Sequence, residues 1–294
     1  MPQVSVCIPV YNPGPFLKAA IDSVLAQSFD DFELLIVDDA STQPVTALVT
    51  SYNDARLHFV QNMSNLGLVG NWNRCIELAA GEYITIFHQD DEMCRENLAD
   101  KVAVLDRYPE VGIVYSDIVR VDEFSRVIGN HYIEQPNQDL IMSGTELYKM
   151  VAQTGNPVAC PTVVVRRKCY TNVGMFDAHL PFATDLEMWL RIARIYSVAF
   201  CVKPLVAYRV HSKQETARFS GSGHDYLDIL RALDIAFSAD LAPEYATFRS
   251  QAYRTLAGQA SAMARWKFRN RNWGASARYT SVAMLATYRS LRES

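Results

Sequence analysis

The stretch that decides the fold is residues 81–91, which read G-E-Y-I-T-I-F-H-Q-D-D. Tyr83 to Phe87 is a short run of β-branched and aromatic residues between a glycine and a polar cluster, which is typical of a strand buried on both faces. Asp90 and Asp91 therefore come just past the carboxyl end of a strand, the edge at which open α/β sheets bind ligands. Carboxylates there can hold a hard divalent cation, but aspartate is also common in turns and at helix N-caps, so both interpretations stay open.

The composition is that of an ordinary globular protein: 294 residues, of which 49% are hydrophobic and 20% are charged. The formal net charge is −4, but the charges are unevenly distributed. Residues 245–292 contain nine arginine or lysine residues and no acidic residue, whereas the preceding residues carry 19 basic and 31 acidic side chains. An acidic body therefore carries a basic C-terminal region.

The six cysteines are spread along the chain, with no C-x-x-C pair and no histidine at zinc-finger spacing. The N-terminal residues do not follow the pattern of a signal peptide. No apolar run approaches the ~20 residues that span a bilayer. These features predict a reduced, cytoplasmic protein, whose contact with a membrane would be peripheral and at its inner face.

Strand and helix patterns alternate at the start of the chain. An apolar run at residues 4–10 is followed by a helical stripe over 16–27, and a second apolar run follows at 32–37. Strands joined through helices predict a parallel sheet with right-handed crossovers. Neither G-x-G-x-x-G nor a P-loop is present, so side chains would have to hold any nucleotide. Asp38 and Asp39 are placed to accept from a base N–H or ribose hydroxyls, or else to cap the following helix.

Two stretches resemble the opening of the family 2 glycosyltransferases, which have the GT-A fold. They are V-S-V-C-I-P-V-Y-N … F-E-L-L-I-V-D-D-A-S-T within residues 4–42 and N-L-G-L-V-G-N-W-N … A-A-G-E-Y-I-T-I-F-H-Q-D-D within residues 65–91. The resemblance implies an α/β catalytic domain at residues 1–223, Rossmann-like, with a mostly parallel central sheet flanked by helices. A C-terminal helical appendage at residues 224–294 would follow it.

The resemblance also implies a nucleotide site at the carboxyl ends of the strands. In the family, the end of the first strand and the second aspartate of V-D-D contact the nucleotide base, and these positions are Pro9, Tyr11 and Asp39 here. The predicted nucleotide-binding residues are Pro9, Tyr11, Asn12, Asp38, Asp39, Asn71, His88 and Gln89.

A metal site is implied by the D-x-D motif of the family, which here reads His88-Gln89-Asp90. Asp90 matches the aspartate that binds the metal directly, whereas His88 replaces the first aspartate. His211 closes a Tyr-Arg-x-His segment similar to that of the family's late metal-ligand histidine, although a lone histidine is more often an ordinary residue. A carboxylate with an imidazole predicts Mn²⁺ or Mg²⁺ as the cofactor.

The catalytic candidate is Asp185, in the first turn of a helix predicted by the apolar spacing of residues 183–194. The helix dipole predicts a low pKa for this carboxylate, which on its own could be an N-terminal charge with no task. The stretch resembles the family's E-D-x-E-x-W-x-R motif, whose aspartate is the catalytic base and whose first glutamate is Thr184 here. The residues predicted to support the site or contact the acceptor are Asp91, Glu187, Trp189 and Arg209.

Together these features predict an inverting, metal-dependent glycosyltransferase. It would move a sugar from a UDP- or dTDP-sugar to a glycan or lipid-linked acceptor, in cell-surface polysaccharide synthesis. A single base without a second carboxylate nucleophile implies inversion, as the family resemblance does. The alternative is a nucleotide-sugar or glycan binding protein of the same fold that has lost turnover, with His88 and Thr184 as marks of that loss.

The C-terminal region is helical by pattern as well as basic. Trp266, Phe268 and Trp273 lie among its cations, a pattern that favours docking to an anionic membrane or to a lipid-diphosphate acceptor. The alternative is a helical cap on the catalytic domain with a solvated basic face. No nucleic-acid-binding motif occurs, so nucleic acid is not predicted as a partner.

Overall fold

The computed structural model describes residues 1–131, 135–219, 221–238 and 242–292. The strands are β1 (Val4–Val10), β2 (Phe32–Asp38), β3 (Leu57–Gln61), β4 (Tyr83–Ile86), β5 (Glu92–Met93), β6 (Val111–Val121), β7 (Val127–Gly129), β8 (Leu140–Met142), β9 (Val164–Arg166) and β10 (Ser197–Arg209). The helices are α1 (Leu17–Leu25), α2 (Thr46–Val49), α3 (Gly67–Leu78), α4 (Asn97–Arg107), α5 (Gly144–Thr154), α6 (Arg167–Val173), α7 (Thr184–Ala193), α8 (Glu215–Phe219), α9 (His224–Ala236), α10 (Pro243–Ala246), α11 (Arg249–Arg269) and α12 (Trp273–Arg292).

The chain divides into two compact units that each draw on three segments. The first unit is residues 1–141, 158–176 and 196–210, and the second is the remainder, residues 142–157, 177–195 and 211–294. This division differs from the predicted boundary at residue 223, because α5 and α7 pack with α9 and α11 in the second unit. Contacts between segments distant in sequence leave no signal in local composition, so the sequence showed only the C-terminal part of this unit.

The first unit is built on one sheet with the strand order β3-β2-β1-β4-β9-β6-β10-β5. β3, β2, β1 and β4 run parallel, as do β6 and β10, whereas β9 runs antiparallel to both of its neighbours. β1 pairs with β2 on one side and with β4 on the other, so the order of the strands reverses direction there. Such a switch point opens a crevice at the carboxyl ends of the strands. The mostly parallel sheet flanked by helices is the predicted GT-A architecture.

The central strands are buried on both faces. Nearly all residues of β1, β2 and β4 are buried and most of them are apolar, which is the composition expected for strands covered by helices. The buried apolar residues of α1 recur at the spacing of one helical face. A β carbon on Gly81 would lie 2.6 Å from the backbone nitrogen of Ser5, so only glycine lets the turn before β4 approach β1 this closely.

Two strand predictions were wrong in the same way. The sequence predicts two strands within residues 111–122, the second antiparallel at an edge, and two within 198–211. The structure has one long strand in each place, β6 and β10, and the two pair in parallel. Register shifts around Pro204 keep β10 continuous, because a bulge accommodates a residue that lacks a backbone N–H.

The second unit is a group of packed helices. The sequence S-G-T-E at residues 143–146 predicts a capped helix, and α5 begins with a capping box in which Ser143 and Glu146 each accept the other's backbone N–H. Small residues in the C-terminal region, such as Ala257, Ala260 and Ala275, predict close packing of helices. In the structure α11 and α12 form a hairpin whose contact surfaces are rich in alanine. In the described part of the chain, no helix has both the length and the hydropathy needed to cross a membrane.

Candidate active site

The carboxyl edge of the first unit's sheet brings the loops after β1, β2 and β4 together. Phe87 N–H donates to the carbonyl oxygen of Cys7 (2.8 Å), which sets the end of β4 beside β1. The backbone N–H of Tyr11 donates to Oε1 of Gln89 (3.2 Å), so the loops after β1 and β4 are in direct contact. The ring of Tyr11 is 47% exposed at this edge, where an aromatic face can stack on a flat ligand.

Asp38 is buried at the end of β2, and both of its carboxylate oxygens accept hydrogen bonds from neighbouring residues of the protein. One oxygen accepts from the backbone N–H (3.3 Å) and the hydroxyl of Ser41, and the other accepts from Nε2 of Gln61 (2.8 Å). These bonds fix the loop after β2 and tie it to β3. Asp38 therefore caps no helix, and its contact with a base N–H or a ribose hydroxyl stays a prediction.

Asp39 is also buried, and it fixes the start of α3 from across the sheet edge. Oδ1 accepts from Nδ2 of Asn62 (2.9 Å) and the backbone N–H of Leu66 (2.8 Å), while Oδ2 accepts from the N–H of Gly67 (2.9 Å). A carboxylate oxygen can accept two hydrogen bonds. Oδ2 accepts a single one from the described residues, and it therefore keeps capacity for one donor from a ligand.

Asn71 lies behind Asp39 rather than at the open edge. It is buried in α3, where Nδ2 donates to the carbonyl oxygen of Val37 (2.9 Å) and Oδ1 accepts from Asn62 (3.0 Å). Asn71 therefore supports the loop that Asp39 holds, and its direct contact with a nucleotide stays a prediction.

The loops after β1 and β2 are locked in uncommon backbone conformations. Asn12 has φ 42° and Ala40 has φ 56°, in the left-handed region that costs a non-glycine residue about 1–3 kcal/mol. Oδ1 of Asn12 accepts both from the backbone N–H and from the hydroxyl of Thr42 (2.9 Å each), which joins the two loops. Strain held in this way clusters at ligand-binding sites. Pro9, half-buried near the end of β1, completes this edge.

His88, Asp90 and Asp91 form a cluster of candidate metal ligands beyond the end of β4. One potential ligand atom from each lies within 4.8 Å of the others, and Nδ1 of His88 is 3.6 Å from Oδ2 of Asp91. The His88 ring stacks on Trp72 with 5.8 Å between ring centroids. Burial lowers the pKa of His88, which favours the neutral ring that can donate a lone pair to a metal.

The cluster fits a divalent cation because it leaves buried acceptors without partners. Among the described residues, neither Oδ2 of Asp91 nor Nε2 of His88 has a hydrogen-bond partner. Burial, and then the neighbouring carboxylate of Asp90, raise the pKa of Asp91 well above its usual range. Buried unpaired polar atoms are costly, and a cation bound by oxygen and imidazole ligands would remove that cost. His88 and Asp91 were predicted only as nucleotide-binding and supporting residues, and the structure groups both with Asp90.

Arg209, at the end of β10, holds the backbone of this acidic loop. Its side chain is buried, its backbone N–H donates to Oδ1 of Asp91 (2.8 Å), and Nε donates to the carbonyl oxygen of Asp90 (2.9 Å). The guanidinium also pairs with Glu92 and lies 4.6 Å from the ring centroid of Phe16. Arg209 is therefore a positioning residue for the acidic loop, in line with its predicted supporting role.

In the second unit, Asp185 lies in the first turn of α7 and is half-buried. Oδ1 accepts from the backbone N–H of Leu186 (2.7 Å), and Oδ2 accepts from Nδ2 of Asn156 (3.3 Å). Burial nevertheless raises the pKa of Asp185 to about 6. The expected low pKa was wrong, because the loss of hydration outweighs the hydrogen bonds that stabilise the carboxylate. A carboxylate with such a pKa is a stronger base than an ordinary aspartate and is still ionised at neutral pH.

The other predicted residues of the second unit are Glu187, Trp189 and His211, and each contacts neighbouring groups of the protein. Glu187 is buried and makes a two-pronged ion pair with Arg191 (2.8 and 2.6 Å), which occupies both of its carboxylate oxygens. Trp189 is buried in the inward face of α7. His211 is half-buried just after β10, and its Nδ1 accepts from the backbone N–H of Lys213 (3.3 Å). The role of Glu187 and Trp189 in supporting the site or contacting the acceptor stays a prediction, as does metal binding by His211.

Sequence reasoning missed residues that position the candidates. Asp228 of α9 accepts from the backbone N–H groups of Phe182 (2.7 Å) and Ala183 (2.9 Å), which fixes the entry to the helix that carries Asp185. No local pattern links residues so far apart in the chain. Asn62, which bonds both Asp39 and Asn71, was detectable in principle as a polar residue directly after a strand.

Comparison with known proteins places this chain in one family. The family model described as glycosyl transferase family 2 matches residues 5–174, more than half of the chain. An uncharacterized glycosyltransferase of Rickettsia typhi is 27% identical over 216 residues, which cover 73% of this chain and 66% of the relative. A putative glycosyltransferase, EpsE of Bacillus subtilis, is 28% identical over 195 residues, or 65% of this chain and 66% of EpsE.

Solved structures agree on the fold. TarS residues 1–349 of S. aureus, in complex with UDP-GlcNAc, has a TM-score of 0.67 at 17% identity, over 99% of this chain and 91% of that one. The mannosyltransferase PcManGT of Pyrobaculum calidifontis, in complex with GDP-Man and Mn²⁺, has a TM-score of 0.59 at 18% identity, over 98% and 87%. With the family model matching more than half of its length, this chain belongs to glycosyltransferase family 2.

Proposed function

We propose that this protein is an inverting glycosyltransferase that takes a sugar from a UDP- or dTDP-sugar and transfers it to a glycan or lipid-linked acceptor of cell-surface polysaccharide. The observation that carries the proposal is the carboxylate and imidazole cluster at the switch-point edge of the sheet, beside the exposed ring of Tyr11. An anionic diphosphate and a flat base are the two ligand parts that such an edge can bind together.

The nucleotide would be held by the loops after β1 and β2. Tyr11 offers a ring face to the base, and Oδ2 of Asp39 offers an acceptor to the N3–H that uracil and thymine share. Adenine and cytosine carry no such ring N–H at neutral pH, and guanine carries its own within a larger purine, so the proposed contact favours uracil or thymine. Because the backbone at Asn12 and Ala40 is already fixed, these loops lose little conformational freedom when the nucleotide binds.

Asp90, Asp91 and His88 are the residues that would hold a divalent metal, Mn²⁺ or Mg²⁺, with His211 as a further proposed ligand. Such an ion neutralises the negative charge that develops on the diphosphate leaving group. The chain's own contribution is to fix the ligands, and Arg209 does so by bonding the backbone of the acidic loop.

Asp185 is the proposed general base. Its raised pKa of about 6 suits the removal of a proton from an acceptor hydroxyl as the bond to the sugar forms. Both Asp185 oxygens accept hydrogen bonds, which hold the carboxylate in one orientation. Glu187 is not the base in this proposal, because both of its carboxylate oxygens are bonded to the guanidinium of Arg191.

The nucleotide preference is testable by thermal unfolding. With Mn²⁺ present, UDP or dTDP at about 100 times its Kd should stabilise the protein by about 2.7 kcal/mol, whereas ADP and GDP at the same concentration should do much less. Asp39→Asn keeps one oxygen for Asn62 and Leu66 but replaces Oδ2 with an NH2 group, which can accept neither from Gly67 nor from the N3–H of uracil. Uridine affinity should therefore fall while the overall fold persists. Equal stabilisation by all four nucleotides would contradict the assignment of Asp39.

Turnover separates the enzyme from the binding-protein alternative. We expect a UDP-sugar to be consumed slowly by water when no acceptor is present, with UDP as the product, because the site activates the leaving group. UDP release should require Mn²⁺ or Mg²⁺ and should disappear in Asp90→Asn. Stoichiometric binding of the donor without any release, over a panel of UDP- and dTDP-sugars, would favour the binding protein.

A further inference from the structure

The turn between α11 and α12 is an exposed aromatic surface, called here the hairpin tip and comprising residues 265–273. Trp266, Phe268 and Trp273 are 55%, 57% and 59% exposed. The rings of Phe268 and Trp273 pack edge to face with 4.7 Å between centroids, and Nζ of Lys267 lies 4.8 Å from the ring centroid of Trp266. Exposed rings of this size are rare on a protein surface unless they contact a partner.

The hairpin tip is also strongly cationic. Arg265, Arg269 and Arg271 are exposed, and none of them forms an ion pair with any residue that the structure describes. No acidic residue occurs anywhere in residues 245–292. The nine residues of the hairpin tip thus contain four cations, three aromatic rings and no carboxylate. Such a surface is complementary to an apolar layer that is bordered by negative charge.

The hairpin tip is presented by a rigid support. The backbone N–H groups of Arg271 and Asn272 donate to the carbonyl oxygens of Phe268 (3.0 Å) and Lys267 (2.9 Å), which closes the turn. A small buried cluster next to the turn joins the two helices, and its buried members are Ala264, Ala275 and Tyr279. Rigid rings lose little conformational freedom on binding, which is the property required of an anchor.

We propose that the hairpin tip docks the protein on an anionic lipid surface. Tryptophan and phenylalanine rings insert at the level of the headgroups, while the arginine and lysine side chains pair with lipid phosphates above them. A second copy of the chain is a poor occupant, because a two-fold contact through this surface would bring like charges together. The sequence carries no recognised nucleic-acid-binding motif, so a lipid surface is the occupant that these rings and cations favour.

Tryptophan fluorescence tests the proposal directly, because the sequence contains four tryptophans and the other two, Trp72 and Trp189, are buried. With vesicles of equimolar phosphatidylcholine and phosphatidylglycerol, we expect co-sedimentation and a blue shift of the emission. Vesicles of phosphatidylcholine alone should give much less of both, and added salt should release the protein. Trp266→Phe with Trp273→Phe should abolish the shift while most of the sedimentation remains.

Two matched substitutions on α11 locate the surface. Arg269→Gln should lower the partition coefficient about fivefold, the usual contribution of one cation at an anionic surface. Arg254→Gln changes the same exposed charge about 22 Å away along the helix and should lower it by less than about twofold. Trp266→Ala with Trp273→Ala should lower it at least about tenfold, since two large apolar side chains no longer insert. Equal effects of Arg269→Gln and Arg254→Gln would overturn the assignment to the hairpin tip.

Other outcomes would also overturn the proposal. These are no binding to either vesicle, binding unaffected by salt, self-association that Trp273→Ala abolishes, or retention on single-stranded RNA in preference to the anionic vesicles. Binding is measured without a sugar donor, so it stands or falls separately from the proposed transferase activity. The thermal unfolding midpoint of each variant, measured without any nucleotide, shows whether the fold is intact.

Discussion

Asp185→Asn should lower the rate of sugar transfer by at least about 100-fold, the lower range for loss of a positioned general base. The amide has the same shape as the carboxylate, and its oxygen can still accept from the backbone N–H of Leu186. The donor-binding residues of the first unit are unchanged, so the Kd for UDP with Mn²⁺ should stay within a few-fold of that of the parent protein. Initial rates of UDP release at saturating acceptor, together with calorimetric titration of UDP, measure the two effects separately.

The pH profile of the parent protein should carry the signature of the same group. Transfer needs the carboxylate ionised, so kcat/KM should rise with pH through a midpoint near the pKa of about 6 and then level off. Asp185→Asn should lose this acidic limb along with most of its rate. An unchanged limb in the variant, or near-normal transfer, would place the base elsewhere.

The same substitution should raise stability at neutral pH. The pKa of Asp185 is about 6 in the folded protein and about 3.9 in an unfolded chain. Between these values the folded state binds the proton more strongly, so stability falls as the pH rises through this window and stays lower above it. Because Asp185→Asn removes the buried charge, we expect the free energy of unfolding at pH 7 to increase by about 1 kcal/mol or more.

Glu187→Gln is the matched control for Asp185→Asn, since it neutralises an acid two residues away on the same helix. It breaks the ion pair with Arg191 and leaves a partly buried cation, so we expect lower stability together with an acidic limb that keeps its midpoint. The two variants should therefore move stability in opposite directions, and only Asp185→Asn should change the shape of the pH profile. A rise of stability in both would contradict the account of Asp185.

The fold was predictable wherever local pattern decides structure. Apolar runs covered by helices predicted β1, β2 and β4, and the apolar stripe of residues 183–194 predicted α7. The sequence predicts a polar loop over residues 65–71 and a helix from Trp72. In the structure α3 begins at Gly67, because the distant carboxylate of Asp39 accepts the N–H groups of Leu66 and Gly67 at its start. The sequence contains both partners but nothing that pairs them.

In the candidate site, too, features set by local sequence could be predicted, whereas features set by distant contacts could not. The family resemblance made Asp90 and Asp185 candidates, and their roles stay predictions, but the sequence did not indicate that His88 and Asp91 would leave buried atoms without partners around Asp90. The pKa of Asp185 was predicted in the wrong direction, because the helix N-terminus is visible in the sequence whereas the burial of the carboxylate is not. Burial is a sum over many distant neighbours, and here it outweighs the local hydrogen bonds.

Asp90→Asn should abolish the Mn²⁺-dependent part of donor binding. The carboxylate supplies a formal negative charge to the cluster, whereas the amide oxygen supplies only a dipole, and hard divalent cations bind neutral oxygen ligands far more weakly. The stabilisation of about 2.7 kcal/mol expected from UDP at about 100 times its Kd should fall to the small value that UDP gives without metal. Thermal unfolding with UDP, with Mn²⁺ and with both ligands measures this increment.

His88→Ala and Asp30→Asn complete the comparison for Asp90→Asn. His88 is neutral in its buried position and can give the ion only a lone pair, so its loss should weaken the Mn²⁺ increment less than the loss of Asp90. Asp30 is a largely exposed carboxylate of the same unit, and Asp30→Asn makes the same change of net charge, so the increment should be retained. Because Arg209 bonds the backbone carbonyl of Asp90, the acidic loop should keep its conformation in Asp90→Asn.

A larger loss of the Mn²⁺ increment in His88→Ala than in Asp90→Asn would make the histidine the principal ligand. An unchanged increment in both variants would mean that the metal binds elsewhere than at this cluster.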